Sequence, residues 1–415
     1  LISAVLTSVT LFLSALPSAE VSLSEEETAA EEAAVKEVSS GESPVRAENA
    51  ASAKADSADD GADFTSGQKT ARTERGTSVQ TMGDATVALL GGFDTNARRV
   101  IGETSVTDAF ASLNAMARGS LLIGESHLLS GRYDLGLKKF YDMAPEDLIV
   151  QQLALSYAPS IGAWSFAVDT RGKLRISRNG IRDYLDLHGD VAAIRSLPGG
   201  WSLRLEAGVR NFRYPRQPAY GFIDGHVSLF GSWKITRAVR LTLGLQGFLP
   251  YYEGNARLPD ATYDTERRRH DKTLAAQLKI SWRHSWSQTA IALQAGYLWV
   301  GNWSNSFGES FGRHRIFGAV AARLPWSIFV GLHVAWQTIH YPDGLFLSDE
   351  LIDLMLYDDE SQSSSMLKLS RPIIQDHLDV ELRYKLSWVD LPRRYDDTSL
   401  NYLRQVGTIG LAGRF

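Results

Sequence analysis

His226 and Ser228 stand two residues apart in a segment that alternates apolar and polar side chains. On an extended backbone that spacing puts imidazole and hydroxyl on one face. A general base and a nucleophile need such proximity if the base is to take the hydroxyl proton during attack on an acyl carbon. Metal ligation is the second chemistry to weigh. The nine histidines, His127, His188, His226, His270, His284, His314, His333, His340 and His377, include no two at i, i+4 helical or i, i+2 strand spacing. The histidine pattern therefore predicts no metal site, and no cofactor is expected. The chain has no P-loop, no glycine-rich dinucleotide fingerprint and no HExxH.

The third chemistry is electrostatic, and many more residues could take part in it. Asp186, His188, Asp190, Arg204, Glu206, Arg210, Asp224, His226, Gln277, Lys279, Arg283, His333, Asp379, Glu381, Arg383, Lys385, Arg404 and Arg414 all fall in the polar phase of alternating segments. Leu378, Val380, Leu382, Tyr384, Leu386 and Trp388 take one phase of such a segment; His377, Asp379, Glu381, Arg383, Lys385 and Ser387 take the other. Trp201, Leu203, Leu205, Ala207 and Val209 likewise oppose Arg204, Glu206 and Arg210. Strict alternation predicts half-buried strands. A charged phase on so many strands has no place in a dry sandwich core, but it suits the wall of a water-filled barrel.

Sixteen strands are predicted, at 84–94, 110–123, 127–140, 147–158, 162–176, 184–195, 201–212, 221–234, 239–250, 273–284, 288–300, 314–324, 326–340, 364–371, 377–388 and 399–415. The fold class is all-β: a transmembrane antiparallel up-and-down barrel of about 16 strands, within 14–18. Connections alternate in length. Short ones centre on Glu125, Pro159–Ser160, Pro198–Gly199, Thr236–Arg237, Ser285–Ser287, Pro325 and Pro372–Asp376; long ones cover 95–109, 141–146, 177–183, 213–220, 251–272, 301–313, 341–363 and 389–398. Trp164, Trp201, Trp233, Trp282, Trp286 and Trp326 lie near short turns, and Trp299, Trp303, Trp336 and Trp388 near long loops. Indole rings prefer the headgroup level of a bilayer, so two girdles follow.

Composition bounds the rest. The 415 residues contain no cysteine, which leaves no disulfide framework and no lipidated anchor. Residues 1–19 read as the apolar and cleavage regions of a signal peptide without its basic start. Residues 20–81 read as a disordered acidic periplasmic arm, either a spacer or a tether for a periplasmic partner. From Glu20 to Thr65 it has 13 acids against 3 bases and almost no large apolar residue to offset ordering entropy. The barrel domain, 82–415, is left with 34 acids and 37 bases, too weakly basic to predict a nucleic-acid partner.

The chain resembles bacterial, porin-like outer-membrane β-barrel proteins. The resemblance covers about 82–415 and rests on a final strand running to a terminal aromatic, Phe415, together with the Trp girdles and the loop alternation. It implies a Gram-negative outer membrane, contact with its lipid and lipopolysaccharide, and delivery by the barrel-insertion machinery through Phe415. The segment Ala85–Asn96 also looks like the opening strand of barrels found in export systems. His226-Val-Ser228 is similar to the His-x-Ser of outer-membrane phospholipase A. Leu229-Phe230 stands where that motif continues Asn-Gly, so no enzyme activity is expected.

The expected function is a channel passing hydrophilic solutes through a charged aqueous lumen. Its lining is Asp186, His188, Arg204, Glu206, Arg210, Asp224, His226, Lys279, Arg283, His333, Asp379, Glu381, Arg383, Lys385, Arg404 and Arg414. Two other functions fit the same sequence: export of a polysaccharide or other polymer with periplasmic partners, and a structural or adhesive barrel acting through its outer loops. Loop 341–363 carries Asp349, Glu350, Asp353, Asp358, Asp359 and Glu360 with no Lys or Arg nearby. It is either an acidic constriction folded inward, with Arg267, Arg268 and Arg269 as counterparts, or an outward lid. The inward arrangement expects Asp353→Lys with Asp358→Lys to move the zero-current potential of a salt gradient toward anion preference. An unmoved potential removes the constriction.

Overall fold

The computed structural model describes residues 69–72, 78–97, 105–124, 126–180, 182–260, 262–286, 289–343, 362–374, 377–392 and 399–415. The expected signal peptide, most of the expected acidic arm and the acidic residues 349–360 lie outside the described residues. The strands are β1 (Lys69–Arg72), β2 (Ser78–Asp94), β3 (Asp108–Ile123), β4 (His127–Phe140), β5 (Leu148–Ile161), β6 (Trp164–Ser177), β7 (Tyr184–Leu197), β8 (Trp201–Arg213) and β9 (Phe222–Lys234). They continue as β10 (Val239–Arg257), β11 (Tyr263–Trp286), β12 (Thr289–Ser304), β13 (Phe311–Leu324), β14 (Ile328–His340), β15 (Ser363–Ile374), β16 (Leu378–Pro392) and β17 (Ser399–Arg414).

Strands β2 to β17 form one antiparallel ring of 16, each pairing with its neighbours in sequence. The ring closes where β17 meets β2, from Val406 opposite Asp94 to Arg414 opposite Thr86. The Phe415 and Ala85 backbones exchange two further hydrogen bonds there, at 2.9 and 3.0 Å. Closure leaves the ring no free edge, and that is the condition for a sheet to cross hydrocarbon. β1 pairs with the start of β2, Ser78–Thr81.

One side of the sheet is apolar nearly all the way round. Leu89, Val168, Leu205, Val209, Val227, Leu243, Leu245, Leu332, Leu382 and Ile409 are all exposed on it. An apolar exposed surface of this extent needs a partner phase, and lipid provides one. The girdles form as the sequence implies. Trp201 and Trp233 stack at 5.2 Å beside the β7–β8 and β9–β10 turns, and Trp164, Trp286 and Trp326 are exposed near turns at the same end. Trp303 and Trp336 are exposed toward the other end.

The strand count and order agree with the sequence, but several boundaries move. β2 begins at Ser78 rather than 84, because Val79 to Gly83 find partners in the apolar end of β3, Ile123 to Gly119. β1 lies within the stretch assigned to the arm. The largest shift removes most of the predicted loop 251–272. β10 and β11 run on to Arg257 and from Tyr263, and only 258–262 connect them. Tyr251 stacks on His270 across this extension at 6.1 Å between rings. β11, with 24 residues, far exceeds the roughly 9–11 needed to cross a bilayer, so its excess length extends beyond the membrane.

An outward-facing charge at mid-membrane depth should be costly. Leu245→Arg is expected to destabilise the lipid-embedded barrel by about 2–4 kcal/mol. Gln246→Arg, one residue on and facing the other way, should stay within about 1 kcal/mol of neutral. Urea unfolding in lipid vesicles, followed by Trp fluorescence, measures both.

Candidate functional site on the polar face of the wall

The face opposite the apolar band carries most of the polar residues singled out above, and the ladders set them in rows. One row holds Arg171, His188, Arg210 and Asp224; the next holds Asp169, Asp190, Gly208 and His226. Beyond them, Glu206 lies opposite Ser228 and Arg204 opposite Phe230.

Most of these charges are paired rather than bare. Asp186, almost fully buried, accepts from Arg210 Nε at 3.1 Å and lies 3.1 Å from His188 Nε2. His188 Nε2 also meets Arg171 Nη2 at 2.9 Å. Arg204 donates to Glu206 from Nε and Nη2, at 2.8 and 2.5 Å. His226 Nε2 lies 2.8 Å from Asp190 Oδ1. Burying a charge without a partner is expensive, so such pairing is what makes a densely charged wall tolerable.

The His226–Asp190 contact spans three strands and depends on Gly208 between them. A Cβ on Gly208 would lie 2.0 Å from Asp190 Oδ1 and 2.7 Å from His226 Nε2. The only residue without a side chain therefore lets β7 and β9 reach each other over β8. Ser228 turns away from this contact and accepts from Gln246 Nε2 at 3.4 Å. His226 is held by carboxylates, and Ser228 is held by an amide.

Further round the ring, Glu381 is held by Lys368 at 3.0 Å and by Arg383, and Asp379 is held by Arg414. His333 is buried on β14. Lys279, Arg283 and Lys385 share the polar phase of their strands, opposite exposed Leu278, Ile280 and Tyr384. The predicted residues thus fall into separate groups along the wall rather than one cluster. Arg269 is committed to Asp271 at 2.7 Å and Glu309 at 3.1 Å, and it stacks on Tyr252 at 3.9 Å. This local network forms because β11 extends through the predicted loop; the acidic residues for which Arg269 was an expected counterpart lie outside the described residues. Near it, removal from water raises the Tyr341 phenol above its ordinary value, and the Glu309 carboxylate adds to the effect.

One fully buried charged group, Asp94, was not among the residues picked out. Asp94, with no exposed surface, accepts from Arg404 Nε at 2.9 Å and Nη2 at 2.5 Å, and from Lys138 Nζ at 3.0 Å. The Lys138 ammonium lies 3.7 Å from the centre of the Phe110 ring. This network joins β2, β4 and β17 and so pins the seam of the ring. Asp94 is in the polar phase with Ala88 and Gly92, which was the available signal. Its partner is 310 residues away, and only closure reveals it.

No family model matches the chain, and no curated protein matches it. Among solved structures it is similar to a bacterial polysaccharide outer membrane secretin, at 10% identity over 80% of this chain and 98% of that one, with a TM-score of 0.39. It is also similar to an anion-selective porin from Comamonas acidovorans, at 8% identity over 81% of this chain and 100% of that one, TM-score 0.41. A third similarity is to a mutant porin of Rhodopseudomonas blastica, at 10% identity over 80% and 100%, TM-score 0.36.

Arg404→Ala leaves Asp94 buried with Lys138 alone. It should cost about 2–3 kcal/mol in the same unfolding assay, below the full cost of an orphaned charge because Lys138 remains. Adding Asp94→Ala should recover part of that loss, and a purely additive double variant would show that the two are not coupled.

With its edges closed, its outside apolar and its rims aromatic, the chain has the architecture of a 16-stranded antiparallel transmembrane β-barrel.

Proposed function

We propose that this chain is an outer-membrane channel for hydrophilic solutes, with the polar face of the wall as the lining of an aqueous lumen. One observation carries the reading: the ring has 16 strands. An eight-stranded barrel is filled by its own side chains, whereas 16 strands leave a water-filled bore. The lining residues are those of the rows around Arg210 and His226, together with Lys279, Arg283, His333, Asp379, Glu381, Arg383, Lys385, Arg404 and Arg414. Because most of the acids are already matched by a base, solutes meet a polar wall of low net field, which favours weak ion selectivity. The partners of the apolar band are outer-membrane lipids, and those of the long loops are lipopolysaccharide headgroups. Residues upstream of β1 are the segment available to a periplasmic partner. No catalytic role is assigned.

The test is conductance of the purified full chain in planar bilayers. Stable stepwise increments in symmetric salt are expected. Lys279→Glu, which removes a positive charge from the wall, should move the zero-current potential in a salt gradient toward cation preference. Bilayers in which correctly folded protein produces no steps would end the channel reading.

A further inference from the structure

We propose that the wall holds one first-row divalent cation, such as Zn²⁺ or Co²⁺, between Asp190 of β7, Glu206 of β8 and His226 of β9. These three half-buried side chains bring one carboxylate oxygen each and one imidazole nitrogen within 4.8 Å of one another. A carboxylate–carboxylate–imidazole set suits borderline transition ions, with metal–ligand distances of about 2.0–2.2 Å reached by small rotamer adjustments. Three protein ligands leave further coordination positions open to water. The inference is independent of solute passage, since binding is read without conductance.

Three other features of the same place point to a cation. The first is the fully buried Asp224, whose Oδ2 has no hydrogen-bond partner and lies 3.9 Å from His226 Nδ1. At that distance there is no hydrogen bond, and Nδ1 and Oδ2 both stay without a partner, so a buried carboxylate beside the imidazole adds negative potential that a cation in the site would offset. The second is the 2.8 Å approach of Nε2 to Asp190 Oδ1, a gap that either a cation or a proton on Nε2 fills. The third is that Asp169 stands directly opposite Asp190 in the β6–β7 ladder, where like charges repel. Of the nearby bases, Arg204 is engaged with Glu206 Oε2 and Arg210 with Asp186. Gly208 keeps the space between the ligands clear.

The alternative occupant of the gap is a proton on Nε2, which makes the contact a hydrogen bond donated to Asp190. Titrating the full-length folded barrel in detergent with Co²⁺ separates the two. One saturable equivalent with visible ligand-field absorption, displaced by Zn²⁺, is expected. His226→Gln and Glu206→Gln should each weaken it at least tenfold, while His127→Gln, on another part of the barrel, should not. Heat-modifiable migration in gels checks folding. Should His226→Gln not fold, Gly208→Ala carries the test, because its methyl group wedges the ligands apart while removing none of them. Absence of saturable binding, or equal binding in Glu206→Gln and in whichever of the other two variants folds, would overturn the assignment.

Discussion

Every backbone amide and carbonyl in hydrocarbon must find a partner within the protein, and this chain meets that demand by returning β17 to β2, the first strand of the ring. The β17–β2 seam is the contact on which the others depend. Without it, two long strands would present unpaired polar rows to lipid at several kcal/mol per group. The seam is made mostly of backbone hydrogen bonds, but side chains fix its register. Asp94, Arg404 and Lys138 interlock on the polar face, and a one-residue slip would turn Arg404 toward lipid.

Closure divides the side chains into two environments with opposite rules. Outside, a single charge is costly and the strands carry Leu, Val and Ile. On the other face charge is abundant, yet it is organised into local pairs, as at Asp186–Arg210, Arg204–Glu206 and Glu381–Lys368. Such pairs brace neighbouring strands and keep the net field small. The row through Asp190, Gly208 and His226 departs from this rule, since it gathers carboxylates and an imidazole where a glycine has opened the wall. A wall built only for solvation would not need that opening.

Much of this was legible in the sequence because a strand in a barrel has two faces with period two. Sixteen strands, their order and the phase of Asp379–Lys385 or Arg204–Arg210 follow from alternation alone. Strand ends did not follow. The outer halves of β10 and β11 are polar on both faces, around Glu253–Arg257 and Asp264–Arg269, and polarity on both faces also describes a loop. Pairings were hidden for a different reason. Asp190 meets His226 only in one register of three strands, and Asp94 meets Arg404 only once the ring closes. Spacing within one segment cannot report either contact, and a search for histidine pairs overlooks a ligand set drawn from three strands.

The central claim is that one face of each strand meets lipid and the other meets water. The absence of native cysteine makes a direct measurement clean: single cysteines placed in turn at residues 241 to 247 of β10, in the barrel reconstituted in vesicles, probed with a water-soluble maleimide and a lipid-dissolved quencher of an attached label. The account predicts a strict period of two. Thr242→Cys and Gln246→Cys should react with the aqueous reagent, and Leu243→Cys and Leu245→Cys should be quenched from the lipid. Uniform accessibility along the strand, or aqueous reactivity at the leucine positions, would contradict it.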